Sequence, residues 1–310
     1  IYLTNFLYYK FLVMKIAVHI PFYNPSPERK EKPLNRNKIF FLKKSLLALA
    51  SLKYKADVYI HTHNDYLDNK NLNHKIIKHK LNNNDLEKGY LTWVVRKHME
   101  KQINNYDYFM YKEHDIIFNQ KNFDDWKKYN PILKKQNFNT GFLVLEKGNK
   151  KYYSIHSQKK LQNYIDVHNK KFFVVSYPYY CCWIYDKSEF KKFIKTKWWK
   201  FNWNGKNYMT FYGITEMSAV GWHGLNMDRY NLTLIPKNKQ SVDEGCFLIH
   251  STNNYFYRRK KMMLSGRYVC KFSKDNLVSK KIFKYKYITN IERFILKLKF
   301  CFRAILRLYK

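Results

Sequence analysis

The segment YDYFMYKEHDIIF, residues 106–118, decides how this chain is read. Its first half is an aromatic, apolar run with strand preferences, it ends in Glu113-His114-Asp115, and helix-forming sequence from about Asn122 to Leu133 follows. Acids that close a buried strand just before a helix lie at a βα crevice. Two acids at i and i+2 on a strand end project to the same side, where they can share a hard divalent cation whose other ligands are phosphate oxygens and water. An isolated acid-x-acid also occurs as a plain solvated strand end, so the context on either side has to separate the two readings.

Upstream, KIAVHIPF (15–22) is a buried-strand pattern stopped by Pro21, and the Pro-rich charged stretch 24–37 reads as a loop. IFFLKKSLLALASL (39–52) has helical spacing, and DVYIHTH (57–63) is a second strand. A short strand is expected at Lys75 to His79. A helix from about Lys88 to Asn104 carries Leu91, Val94, Val95, His98 and Met99 on one side. Downstream, strands are expected at 140–146, 151–156, 171–177, 231–235 and 246–250, with helices near 187–196 and over ITEMSAVGW (214–222). This alternation predicts an α/β fold with a mostly parallel central sheet flanked by helices. Ligands in such sheets sit at the carboxyl ends of strands, here 19–24, 61–65 and 113–115. Neither GxGxxG nor GxxxxGK[ST] occurs.

The 310 residues hold 59 Lys+Arg against 23 Asp+Glu, a formal charge of +36, yet 45% are hydrophobic and 19% aromatic. That apolar content excludes a disordered polybasic chain. The charge points to a polyanion or anionic surface, but the excess is mostly Lys in a chain also rich in Asn, Ile, Tyr and Phe, as a base-composition bias alone would produce. No nucleic-acid platform or recognition helix is visible, so no specific nucleic-acid partner is expected. Five cysteines without CxxC spacing give no zinc site or disulfide framework. Residues 1–13, interrupted by Lys10, are too short to span a bilayer and lack a cleavage site; with Met14 directly before a strand, they are a lead-in or a mis-assigned start. A cytoplasmic location (host cytoplasm if viral), peripheral at a membrane, is the expectation.

Several blocks together resemble the GT-A type of nucleotide-sugar-dependent glycosyltransferase, in particular a bacterial and viral sugar-transferase group with an EDD or DxD-like motif. YDYFMYKEHDI is similar to that group's YDYFxYxEDDI. GYLTWVVRKHM (89–99), FNTGFLVLEK (138–147), PYYCCWIYDKSEFKKFI, YGITEMSAVGW and FLIHSTNNY (247–255) resemble its other blocks in the same order. One departure is His114, which replaces the middle acid. The resemblance implies a GT-A-like, Rossmann-like domain over 14–257, with a nucleotide-binding half (14–135) and an acceptor half (136–257). It implies Mn²⁺ or Mg²⁺ as cofactor, a nucleotide-sugar donor, and a glycan, lipid-linked or protein acceptor.

Carried onto this sequence, the metal falls to Asp115, Glu113 and His250. The donor falls to His19, Pro21, Tyr23, His61, Thr62, Trp93, Arg96, Glu113 and His114. Glu216 is the candidate catalytic base, because a carboxylate in an apolar, aromatic setting gains basicity by desolvation; it is equally placed as an ordinary carboxylate at a helix N-terminus. The alternatives are a degenerate transferase without turnover, or a basic module that binds membrane or nucleic acid.

From Arg258 onward 17 Lys+Arg face only Asp275 and Glu292. Within this basic tail, residues 288–310 place Ile291, Phe294, Ile295, Leu298, Phe302, Ile305 and Tyr309 on one helical face. Such an amphipathic helix suits an anionic membrane surface, or docking on its own domain.

Overall fold

A computed structural model describes residues 14–23, 38–64, 74–135, 138–148, 151–154, 161–168, 170–175, 181–196, 199, 215, 218–219, 221–222, 233–236, 244–253, 270–271 and 277–281. The main sheet is built from β1 (Lys15–Pro21), β2 (Lys55–Thr62), β3 (Lys75–Lys78) and β4 (Tyr108–Lys112), all parallel in the order β4-β1-β2-β3. β1 is central, with Val18 paired to both Val58 and Met110, and every residue after Lys15 is buried. That explains its unbroken apolar sequence, since a parallel strand is covered on both faces.

The covers are helices. Between β1 and β2, α1 (Lys38–Ala50) packs Leu42, Leu46 and Leu49 against Ile16, Val18, Ile20, Val58 and Ile60. After α2 (Asn83–Glu87), α3 (Leu91–Lys101) lays Val95 and Met99 on the opposite face, against Ala17, Tyr59, Phe109 and Tyr111. The single helix expected over 88–104 is therefore two. Gly89 separates them in the left-handed region (φ 83°), and a Cβ there would lie 2.3 Å from Thr215 Oγ1, so close approach as well as backbone conformation demands glycine.

The strand expected over 106–118 is also divided. β4 stops at Lys112, residues 113–115 turn, and β5 (Ile116–Ile117) enters a second sheet. The helix α4 (Gln120–Lys134) follows, its first turn closed by a reciprocal capping box between Asn119 and Asn122. The chain continues through β6 (Asn139–Thr140), β7 (Leu143–Gly148), β8 (Lys151–Ser154), β9 (Leu161–Val167), β10 (Lys170–Val175) and β11 (Cys182–Asp186). Then come α5 (Lys187–Phe193), β12 (Thr233–Pro236), β13 (Phe247–His250), β14 (Cys270–Lys271) and β15 (Leu277–Lys281). β11 returns to the main sheet as an antiparallel edge on β4.

The second sheet runs β14-β8-β7-β13-β5 and the third β15-β9-β10-β12-β6. Strands thus cross the division drawn at 135/136: β5 joins β13, and β11 joins β4. Part of the basic tail, β14 and β15, is paired to β8 and β9. The helix expected over 288–310, residues 1–13 and Glu216 lie outside the described residues. Among the described residues no helix is long and apolar enough to cross a membrane.

Candidate functional site

The chain order β3-β2-β1-β4 reverses between β1 and β4, which makes their carboxyl ends the switch point where α/β sheets open a crevice. Pro21 to Tyr23 leave β1 here, and Glu113 to Asp115 leave β4. The acids lie in a turn and not along one strand face. Glu113 and His114 are half-buried, while Asp115 is 6% exposed. Asp115 is directed at β13, because its carbonyl accepts from the Ser251 N–H and hydroxyl, both at 2.8 Å. Asn122 on α4 fixes β13 in turn, donating from Nδ2 to the carbonyls of Gly245 and Phe247.

At the end of β13, His250 stands between two carboxylates. Its Nε2 lies 3.1 Å from Asp115 Oδ2 and its Nδ1 2.6 Å from Glu146 Oε1. Glu146, on β7, is 0% exposed. Burial pulls the His250 pKa down, but Asp115 and Glu146 outweigh it and raise it to about 10. Burial also disfavours the Asp115 anion, and the charges of His250 and His114 overcome that, holding its carboxyl well below the usual range. His250 is therefore a buried imidazolium at neutral pH, flanked by anions. Asp115 Oδ1, by contrast, is buried with no hydrogen-bond partner among the described residues.

Two strained backbone positions flank this cluster. Cys181 (φ 57°) accepts the Glu113 N–H at 2.7 Å, and Asn253 (φ 52°) follows His250. Beneath the turn, Lys112 is fully buried against the Ser45 hydroxyl and donates to the Glu113 carbonyl at 3.2 Å. Burial lowers its pKa to about 8 against the pull of Cys182, Asp115 and Glu113.

The fit to a divalent cation can be judged from these side chains. No three His, Cys, Asp or Glu among the described residues converge on one point, so there is no finished protein cage. A buried carboxylate oxygen that accepts no hydrogen bond among the described residues, with a second acid two positions earlier in the turn, is compatible with a hard divalent cation whose remaining ligands come from outside the chain. His250 has a carboxylate against each ring nitrogen, Asp115 at Nε2 and Glu146 at Nδ1.

No protein-family model matches this chain, and no curated protein matches it. Solved structures similar to it include S. aureus TarS 1-349, at 11% identity over 82% of this chain and 65% of that one, TM-score 0.37. The same protein in complex with UDP-GlcNAc aligns at 11% identity over 89% and 61%, TM-score 0.36. A further S. aureus TarS structure aligns at 14% identity over 58% and 29%, TM-score 0.32. The chain spans less than two thirds of the length of each.

The remaining candidates divide into two groups. Tyr23, half-buried at the crevice, stacks on His63 (centroids 5.0 Å apart), with Lys38 Nζ 5.2 Å above its ring; Phe22 meets His114 edge-on. Pro21 and Thr62 are buried at the ends of β1 and β2. His19 and His61 are fully buried below them, in a chain of hydrogen bonds: His79 to His61 at 2.8 Å, His61 to His19 at 3.0 Å, His19 to Gln102 at 3.1 Å and Gln102 to His98 at 2.9 Å. One tautomer set satisfies every bond. His79 Nε2–H donates to His61 Nδ1, His61 Nε2–H to His19 Nδ1, His19 Nε2–H to Gln102 Oε1, and the Gln102 amide to His98 Nε2. Burial, followed by repulsion from His98, lowers the His19 pKa to about 3.

Trp93 and Arg96 are in a different place. The Arg96 guanidinium is buried over Trp93 (4.0 Å) and between Phe193 and Trp199, as part of the α3–α5 packing, and burial lowers its pKa to about 9. Glu216 itself is outside the described residues. Its helical neighbour Ser218 accepts or donates to Tyr111 of β4 at 3.1 Å and holds the Trp183 indole through its carbonyl.

Glu146 is the residue that sequence reasoning passed over. Its signal was a single acid inside the apolar run FLVLEK, a position where an ionisable group is buried and paired. The histidine chain left a weaker trace, since His19, His61, His79 and the His98–Gln102 pair are far apart in sequence and meet only because β1, β2 and β3 lie side by side in one sheet and α3 packs over β1 and β2.

Proposed function

We propose that this chain is a nucleotide-sugar-dependent glycosyltransferase whose donor lies across the carboxyl ends of β1 and β4. Asp115 carries the reading: it is a buried carboxylate at a parallel-sheet switch point, with one oxygen on an imidazolium and the other without a partner among the described residues. Such an oxygen calls for a ligand. Asp115, with Glu113 directly or through water, would hold Mn²⁺ or Mg²⁺, which as a Lewis acid neutralises a leaving nucleoside diphosphate. His250 serves first to hold Asp115 in place, and can become a ligand only by giving up its proton.

Tyr23, with His63 and Lys38 beside it, offers a flat cationic edge to the nucleotide; Pro21 and Thr62 frame it, and His19 and His61 support it from below. His114 faces the same opening through Phe22. Glu216 is the proposed base that takes the proton of an acceptor hydroxyl, on a glycan or lipid-linked acceptor. Its segment is tied to β4 through Tyr111 and Ser218.

The test is turnover of a panel of nucleotide sugars, UDP-GlcNAc included, by the purified chain with Mn²⁺, read as released nucleoside diphosphate. Asp115→Asn is expected to lower the rate roughly a hundredfold, the upper range for loss of a group that organises a metal site. Release by no donor, or equal rates for the two proteins, overturns the reading.

A further inference from the structure

Every large hydrophobic side chain that is well exposed among the described residues lies on one helix: Ile39 (38%), Phe40 (57%) and Leu47 (72%), all on α1. Scattered exposed apolar residues are ordinary, but their concentration on one element is not. At 100° per residue, Phe40 and Leu47 fall within about 20° of each other, two turns and ~10 Å apart along the axis. Exposed Lys43 and Lys44 lie about 50° to either side of that line, and Ile39, about 90° from it, borders the buried side. Leu42, Ser45, Leu46 and Leu49 occupy the opposite, buried side. The helix is thus apolar along two lines, one facing the core and one facing out.

We infer that the outer face of α1 docks on an anionic lipid surface, with Phe40 and Leu47 entering the acyl boundary and Lys43 and Lys44 reaching the headgroups. Charge decides the occupant. A second copy of a chain with net +36 would bring this lysine-flanked face against like charge, whereas an anionic bilayer complements it. Long lysine side chains beside inserted apolar residues are suited to that boundary, because their stems lie along the apolar layer and their ammonium groups stay in the headgroup region. The inference does not use residues 288–310 and does not depend on the proposed activity. Its consequence is positional. The inner side of α1 holds the crevice, through Lys38 to the Tyr23 carbonyl at 3.2 Å and Ser45 to the Ile116 carbonyl at 3.0 Å, so docking its outer side lays the flank of the candidate site on the membrane.

The test is sedimentation of the full chain with phosphatidylcholine vesicles, with and without phosphatidylglycerol, comparing wild type, Phe40→Ser/Leu47→Ser and Lys43→Gln/Lys44→Gln, all with the C-terminal segment intact. The expected result is wild-type binding that requires phosphatidylglycerol. The lysine pair should lower it about tenfold or more, from roughly 1 kcal/mol per basic residue near the surface, and the apolar pair should lower it at least as far. The substituted side chains are exposed, so unchanged far-UV dichroism should accompany the loss. Binding unaffected by either double variant overturns the inference. So does a wild-type dimer in sedimentation velocity that Phe40→Ser/Leu47→Ser converts to monomer, because the face would then be a contact between copies.

Discussion

Asp115, His250 and Glu146 form a unit in which the middle residue carries the opposite charge to its neighbours, and all three are at least nine-tenths buried. Buried ion groups of this kind are held by mutual neutralisation, and removing one member leaves the others uncompensated. Glu146→Gln keeps the shape and an acceptor oxygen but deletes one charge. Two outcomes are expected. The His250 ring, followed by NMR, should titrate well below its native value of about 10, and urea unfolding should show a loss of about 1–3 kcal/mol. A His250 titration unchanged by the substitution would mean that Glu146 does not hold the imidazolium. Neither the pairing nor the protonation state was legible in the sequence: FNTGFLVLEK showed an acid in an apolar strand, and only the parallel pairing of β7 with β13 brings it to His250.

At the level of elements, the histidine chain ties β1, β2, β3 and α3 together, and it sets a pH dependence. His19 and His61 have folded pKa values below that of the unfolded chain, mainly through burial. The unfolded state therefore binds more protons in acid. The stability that these groups contribute is complete above pH 6.5 and is lost as pH falls from there toward about 3, at up to about 1.4 kcal/mol per pH unit for each histidine. Urea midpoints measured at pH 7, 6 and 5 should fall more steeply for wild type than for His19→Asn; parallel slopes would count against the burial of a neutral pair. The strands and helices themselves were largely legible. β1, β2, β3, α1 and α4 follow the apolar runs and spacings that predict them, because local pattern and burial agree there. Two features were not legible. Gly89 divides α2 from α3 on account of a distant contact with Thr215, and β11 joins the main sheet from far along the chain as an edge strand.

Across the whole molecule, the main sheet and the second sheet each take strands from both halves of the sequence, and that exchange brings the candidate site together. β4 supplies the acids from one sheet, and β13 and β7 supply His250 and Glu146 from another. The positive charge acquires two distinct places in this arrangement: Lys38 and Lys112 around the acidic turn, and Lys43 and Lys44 on the outer side of α1. The expectation that the two acids share one strand face gives way to a turn between β4 of the main sheet and β5 of the second, in which Glu113 is half-buried and Asp115 buried. The direct measurement is calorimetric titration of uridine, guanosine and thymidine diphosphate sugars into the wild-type chain and Asp115→Asn, each with and without Mn²⁺. The account predicts that one nucleotide class binds wild type, that Mn²⁺ strengthens this binding, and that Asp115→Asn weakens it about tenfold or more while removing the Mn²⁺ effect. Equal affinities for the two proteins, or binding indifferent to Mn²⁺, would contradict it.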